Sequence, residues 1–394
     1  MSQTPSVRPP ETLVYALAVC GILANPLIVP NLTEVVAAFD RSAASSGLLI
    51  SAIPLSGVVL SPIAGILADR LGRRPIVLGC LLVFGAAGFA SALAPTFELL
   101  LFARFVQGFG SAGLLSLSLV LIADHWAGHE RTTVMGRNAA VLSLGLAAVP
   151  LVSGFLAQAT SWRWSLALAS VAIPIAAVAW HKLPTDVPHA KRALRVHVRE
   201  LGASIRLPVV LAILTSGFVL FVVVFGIFLT TLPIHLDQRY GLDPGARGAV
   251  LAVSAAGSIA AALALGPLSR IAPRRSILVV SGLLVACSTL GMGVATSLTL
   301  VVVSALLYGL GDGVLGPTFQ TMVAAVTSAD RRASVLTLWI ASIRLGQLVG
   351  PLVAGLLLSQ SSTQTVMVVG SVAFAAVSLF WLRFPSELLP ADRD

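Results

Sequence analysis

An all-α polytopic membrane protein, built as two similar six-helix halves, is predicted by three observations. Hydrophobic residues make up 57% of the 394, charged residues only 10%, and mean hydropathy is +0.96. A soluble domain carries about 25% charged residues, so no water-soluble fold could hide this much apolar surface. Long apolar runs alternate with short polar connections. The chain also repeats itself at an offset of 201 residues: Gly65, Leu67, Arg73 and Arg74 recur as Gly266, Leu268, Arg274 and Arg275. Gly108, Gly110 and Arg131 recur as Gly309, Gly311 and Arg332, and Gly145, Pro150 and Gly154 as Gly346, Pro351 and Gly355. Two similar halves are one way to build a central site between two moving bodies.

A helix needs about 20 apolar residues to cross a bilayer. Twelve spans are predicted in order, at 12–33, 46–67, 75–93, 97–123, 133–158, 163–181, 209–233, 246–267, 275–294, 298–326, 333–358 and 363–383. The first is long, contains Asn25, Pro26 and Pro30, and lacks a small-x-small cleavage site, so it reads as a retained span and not a cleaved signal. The one long polar connection, 182–208, carries six Lys and Arg residues against Asp186 and Glu200. It divides an N-terminal bundle, 1–181, from a C-terminal bundle, 209–394.

Lys and Arg fix orientation. Nineteen fall on the side holding both termini and the 182–208 segment, and four on the other: Arg41, Arg163, Arg239 and Arg247. The positive-inside rule then puts both termini in the cytoplasm of a cell whose plasma (inner) membrane holds the protein. One missed span would scramble this alternation. The net charge of +9 is scattered between apolar runs and forms no continuous basic face, so nucleic acid is not an expected partner. The frequent Gly and Pro (34 and 22) suit helices that pack closely and bend.

Several chemistries are excluded. The three cysteines, Cys20, Cys80 and Cys287, lie inside apolar runs and suggest no disulfide framework. The six histidines show no metal-ligand spacing, and no Gly-x-x-x-x-Gly-Lys-Ser/Thr loop is present to couple ATP. GFGSAG, Gly108 to Gly113, lies within an apolar helix with no preceding strand, so it reads as close helix packing and not as a dinucleotide loop. No cofactor, metal or catalytic set is expected, and no obligate protein partner, consistent with a monomer.

GILADRLGRR, Gly65 to Arg74, meets every position of the loop pattern between the second and third helices of the major facilitator superfamily. With twelve spans, a basic central loop and the half-length repeat, this resemblance covers essentially the whole chain. LFARFVQGFGSAG resembles the Arg-x-x-Gln-Gly motif of proton-linked members, here Arg104, Gln107 and Gly108. GLAAVPLVSG resembles the helix 5 motif of the 12-helix drug/proton antiporter branch at Gly145, Pro150 and Gly154, but Val149 and Ser153 replace glycines. GQLVGPLVAG of helix 11 keeps Gly346, Gly350, Pro351 and Gly355.

The loop has a physical reading as well. Gly65 leaves room for a neighbour, and Gly72 permits a tight turn. The resemblance implies that Asp69 sits near the start of helix 11, where a helix N-terminus favours a carboxylate. It also implies that Arg73 meets an acid at the end of helix 4, for which Asp124 is the candidate. The set Gly65, Asp69, Arg70, Gly72, Arg73, Arg74 and Asp124 would then form a cytoplasmic gate. Arg70, Arg73 and Arg74 serve equally as topology anchors.

Charges within spans normally face a cavity or a partner, because burial in the bilayer is costly. Arg104, Asp312 and Arg344 are such charges. Asp312 and Arg344 stand at similar depth on consecutive helices and are expected to pair. Their first-half counterparts are Ser111 and Ser143, so these charges are additions to one half of the scaffold. Desolvation disfavours a charged carboxylate and a nearby cation favours it, which makes Asp312 a candidate proton carrier and Arg344 its tuner. Arg104 could relay protons or bind an anion, and Glu34 is a second candidate acid. On helix 7, Phe218, Phe221, Phe225 and Phe228 are spaced three, four, three, which puts four rings on one helical face. The resemblance implies that helices 1, 4, 7 and 10 line the cavity. Phe218, Phe221, Phe225 and Phe228 with Asn25, Gln107 and Tyr308 are candidate cavity residues on these helices, and Trp339 and Gln347 join them from helix 11; each is also explained by packing. The charged Arg104, Asp312 and Arg344 belong to the same candidate cavity.

The leading expectation is a secondary transporter working by alternating access, exporting small lipophilic or amphipathic compounds against protons. An uptake symporter for a small organic anion is the alternative within transport. A polytopic membrane enzyme or a sensor would need a clustered catalytic set or an added domain, and neither is present in this sequence.

Overall fold

The structure is a computed structural model that describes residues 8–184, 208–326 and 329–385. Its helices are α1 (Glu11–Leu23), α2 (Leu32–Ala37), α3 (Ser46–Leu71), α4 (Arg73–Leu93), α5 (Phe97–His125), α6 (Gly128–Ala159), α7 (Trp162–Ala167) and α8 (Ala172–Lys182). There follow α9 (Pro208–Val223), a π-helical segment (Val224–Thr231), α10 (Leu232–Tyr240), α11 (Pro244–Ile271), α12 (Arg274–Val294), α13 (Leu298–Val326), α14 (Ala329–Leu358) and α15 (Thr363–Arg383). No strand occurs among the described residues. Among the described residues, ten helical stretches are long and apolar enough to cross a membrane, and Glu11–Leu23 and Ala43–Val58 are shorter apolar helices where the first two spans are expected. Span 1 breaks at its prolines: α1 stops at Leu23, a 3-10 turn covers Val29–Asn31, and α2 resumes at Leu32. A proline has no N–H to give the helix ladder. Large apolar side chains such as Leu263 (78% exposed) and Ile271 (82%) point outward, as they do where lipid is the solvent.

The chain divides into two compact units. The first is Met1–Arg41, Leu48–Arg192 and Asp243–Gly248; the second is Ser42–Gly47, Ala193–Leu242 and Ala249–Asp394. Each unit thus takes in a short segment whose own helix continues in the other.

The repeat is visible contact by contact. In the first unit, a Cβ on Gly110 would run into the Cys80 carbonyl and the Phe84 side chain; in the second, one on Gly311 would meet Ser281 O at 2.8 Å and Val285. Cys80 and Phe84 are Ser281 and Val285 less 201 residues. Arg74 donates to the carbonyl of Trp180 and lies over its ring, 5.0 Å from the centroid. Arg275 donates to the carbonyl of Trp381 (2.9 Å) and to that of Leu382. Trp180 and Trp381 again differ by 201. Each arginine opens one helix and caps the bare carbonyls at the end of another, where a cation is favoured.

The two halves make their sharpest turn differently. Gly72 alone joins α3 to α4, with φ 91° and ψ 157°, a conformation open in practice only to glycine. The second half uses Ala272 and Pro273, and Pro273 has an ordinary φ of −58°. The tight turn expected at Gly72 is present.

Candidate functional site

The arginine-rich end of the first unit is built on that turn. Gly72 places Arg73 at the start of α4, where its Nε lies 3.2 Å from Asp124 Oδ2 near the end of α5. Arg73 is 13% exposed and Asp124 37%. Arg131 donates to the carbonyls of Trp126 and Ala123, both at 2.8 Å, and so caps the end of α5. Arg70 is exposed. The surroundings of Gly65, the side chain of Asp69 and the side chains at the start of helix 11, which the sequence pairs with Asp69, lie outside what the structure describes.

Deeper in the same unit, Arg104 is fully buried and clamped by neutral acceptors. Its Nη1 donates to Ala24 O (2.8 Å) and Gln107 Oε1 (3.3 Å), and its Nη2 to Asn25 Oδ1 (2.8 Å). The Pro26 break explains this: α1 has ended by Ala24, so that carbonyl is available to a side chain. Among the described residues no carboxylate pairs with Arg104, and its Nε has no hydrogen-bond partner. Asn25, Arg104 and Gln107, three predicted cavity residues, are therefore one hydrogen-bonded cluster. Ser153, where the antiporter pattern has glycine, donates to Leu27 O (2.5 Å) and accepts from Asn31 (3.0 Å). The departure from the pattern thus carries a bond across to the broken first span.

In the second unit the expected aromatic wall is divided. Phe218, Phe221 and Phe225 are half-buried, but Phe228 is 8% exposed and stacks on Tyr308, centroids 4.3 Å apart and planes 5° apart. The cause is the π-helical segment, whose i→i+5 bonds change the winding after Val223 and turn Phe228 off the shared face. Thr230 and Thr231 donate to the carbonyls of Phe225 (2.7 Å) and Gly226 (2.9 Å) within it. Trp339 also departs from the cavity reading. It is 1% exposed and fills the notch left by Gly217, where a Cβ would strike its ring.

The expected Asp312–Arg344 pair is not formed. Arg344 Nη1 contacts Gln347 Oε1, one turn along its own helix, at 3.4 Å, and Asp312 has no ion pair or hydrogen bond among the described residues. Similar depth on consecutive helices does not set the rotation of each side chain about its helix. Asp312 instead stands one turn from Tyr308, whose buried hydroxyl has no hydrogen-bond partner among the described residues. A carboxylate, a phenol and a stacked ring pair thus converge on α13 and the π segment.

At the other end of the helices the structure shows a residue that sequence reasoning passed over. Arg247, read there only as one of four outer arginines, is fully buried in the first turn of α11. It donates to Thr33 Oγ1 and to the Glu34 carboxylate, both in the first unit with it. Its repeat counterpart is Ser46, so the test that singled out Asp312 and Arg344, a charge in one half only, would have found it.

Known proteins share this architecture and parts of this sequence. Over 133 residues the chain is 31% identical to the quinolone resistance protein NorA of Staphylococcus aureus (strain Mu50), covering 34% of each chain. Over 154 residues it is 30% identical to the multidrug transporter AQR1 of Candida glabrata, covering 38% of this chain and 26% of that one. The matched stretches span about a quarter to a third of these curated relatives. A bacterial homologue of the human lysosomal transporter Spinster, in an inward-facing and occupied conformation, superposes with a TM-score of 0.78 at 16% identity, covering 96% of this chain and 97% of that one. A D-xylose–proton symporter gives 0.77 at 16% identity, covering 97% and 98%. At such identities these structures speak to the fold alone. The family model described as Major Facilitator Superfamily matches residues 14–253 and 214–393, and the chain belongs to that superfamily of transporters.

Proposed function

We propose that this protein exports small lipophilic or amphipathic compounds in exchange for protons, by alternating access in a plasma (inner) membrane with both termini cytoplasmic. The observation that carries this reading is Asp312. It is a carboxylate within a long apolar helix, without an ion-pair partner among the described residues, beside the Tyr308–Phe228 stack. A lone carboxylate there is costly when charged and cheap when protonated. A positively charged group of an amphipathic substrate, seated beside the aromatic rings, would compensate the carboxylate in place of the proton, so proton and substrate would compete, which is what exchange requires. Arg73 and Asp124 serve the cytoplasmic gate, and the Arg104 cluster ties the broken first span to α5. The multidrug and quinolone-resistance relatives support the export direction. Everted vesicles carrying the protein should take up a lipophilic dye when an inward-acid proton gradient is imposed, and release it when the gradient is collapsed. Vesicles that ignore the gradient would contradict the reading.

One observation favours uptake of a small organic anion instead. Arg104 is a buried guanidinium held only by neutral acceptors, so its charge is not neutralised within the described part of the first unit. Right-side-out vesicles that concentrate an organic acid under a proton gradient, and lose this with Arg104→Gln, would select that reading over export.

A further inference from the structure

We propose that Glu34 and Arg247 form an ionic clasp that holds the outer end of α11 closed and must part when the outer side opens. The inference rests on the alternating-access reading and adds a gate to it, at the end opposite the Arg73–Asp124 turn.

The segment Asp243–Gly248 belongs to the first unit, although α11 continues from Ala249 in the second. Four contacts hold it there. Gln158 Nε2 donates to Asp243 Oδ2 at 3.3 Å. Gly154 lies so close to Pro244 that a Cβ would strike its carbonyl. Gly248 stands in the same relation to the Pro150 carbonyl. Arg247, buried between these glycine contacts, reaches Thr33 and Glu34 through its two Nη groups. Glu34 is about one-third exposed and also accepts from Thr33 Oγ1 at 3.2 Å. The pair therefore has a dry side and a wet side. Opening would return both ions to water, so the clasp can be released at a cost that permanent burial of a broken pair would not allow.

The repeat separates the clasp from the scaffold around it. In the second unit Gly47 packs on the Pro351 carbonyl and Gly355 on that of Ala44, and Gly47 and Pro351 are Gly248 and Pro150 displaced by 201 residues and exchanged between halves. The close glycine packing is thus shared. The charges are not: Arg247 corresponds to Ser46 and Glu34 to His235, both buried, with His235 bonded through Nδ1 to Thr363 Oγ1 at 2.9 Å. A feature needed only for packing would have a counterpart in the other half. The ion pair is a one-sided addition, placed where a helix passes from one unit to the next.

The test is solvent access to a cysteine at Leu251, one turn inward from Arg247 and 3% exposed, in a chain whose Cys20, Cys80 and Cys287 are replaced by serine. A membrane-impermeant maleimide is applied from outside. Glu34→Gln and Arg247→Met should each raise the labelling rate by about tenfold through a larger open population, and the exchanged pair Glu34→Arg with Arg247→Glu should bring it back toward the parent rate. Equal labelling in the parent and both single variants would overturn the clasp. So would faster labelling that the exchanged pair fails to restore, since that indicates lost packing and not a lost ion pair. Should Arg247→Met not be recovered in folded form, Glu34→Gln decides alone, because its side chain is partly exposed and nearly the same shape. Dye flux in the same vesicles keeps the two ideas apart: labelling that responds without any flux leaves the clasp standing and removes the transport reading.

Discussion

Phe228 stacks flat on Tyr308, with ring planes 5° apart, one helical turn from Asp312. Among the described residues the Tyr308 hydroxyl has no hydrogen-bond partner, though the residue is 2% exposed. A buried unsatisfied polar group costs about 1–3 kcal/mol, so the hydroxyl is kept at a cost to stability. Tyr308→Phe should therefore leave the melting temperature of the purified protein unchanged or higher, while gradient-driven transport falls. Parallel losses in thermal stability and transport would assign the hydroxyl to the fold and not to the site.

Gly72 should resist substitution more than its repeat counterpart. With φ at 91°, Gly72→Ala forces a side chain into a disfavoured conformation at about 1–3 kcal/mol. Pro273 has φ −58°, so Pro273→Ala only loosens the unfolded chain, by about 0.4–1 kcal/mol. Thermal melts of the two variants in detergent should rank in that order. A milder effect at Gly72 would show that the single-residue turn can be remade.

Arg73 and Asp124 are expected to matter for cycling and little for stability. Asp124 is more than one-third exposed, and pairs with that much solvent contact contribute about 0–1 kcal/mol. Arg73→Ala should lower the transport rate at saturating substrate by about tenfold with little change in apparent KM, the pattern of an interaction made outside the binding step. A raised KM at an unchanged maximal rate would place Arg73 in the binding site and not in the gate.

The fold was legible because its cause is crude and repeated. Lipid demands long apolar helices, and apolar length survives in composition. The offset of 201 residues is visible in single residues and returns as matched contacts, Gly110 on Cys80 and Gly311 on Ser281. The Arg73–Asp124 contact was legible through a family resemblance. What stayed hidden depends on rotation about a helix axis. Four phenylalanines at helical spacing read as one wall, but the π segment Val224–Thr231 turns Phe228 away, and nothing in its composition announces that winding. Depth alone suggested Asp312 with Arg344, whereas Arg344 bonds to Gln347. Arg247 was hidden for another reason. The sequence marks it only as an orienting charge at the outer end of a span, although it is the fourth residue of α11, helical and buried.

The central claim is that Asp312 carries the proton that drives transport. It is tested most directly by comparing two fluxes for Asp312→Asn in the same vesicles: dye uptake driven by a proton gradient, and exchange of labelled for unlabelled dye with no gradient. The account predicts that gradient-driven uptake is abolished while exchange continues near the parent rate. Gradient-driven uptake that persists in Asp312→Asn, or exchange that disappears along with it, would contradict the account.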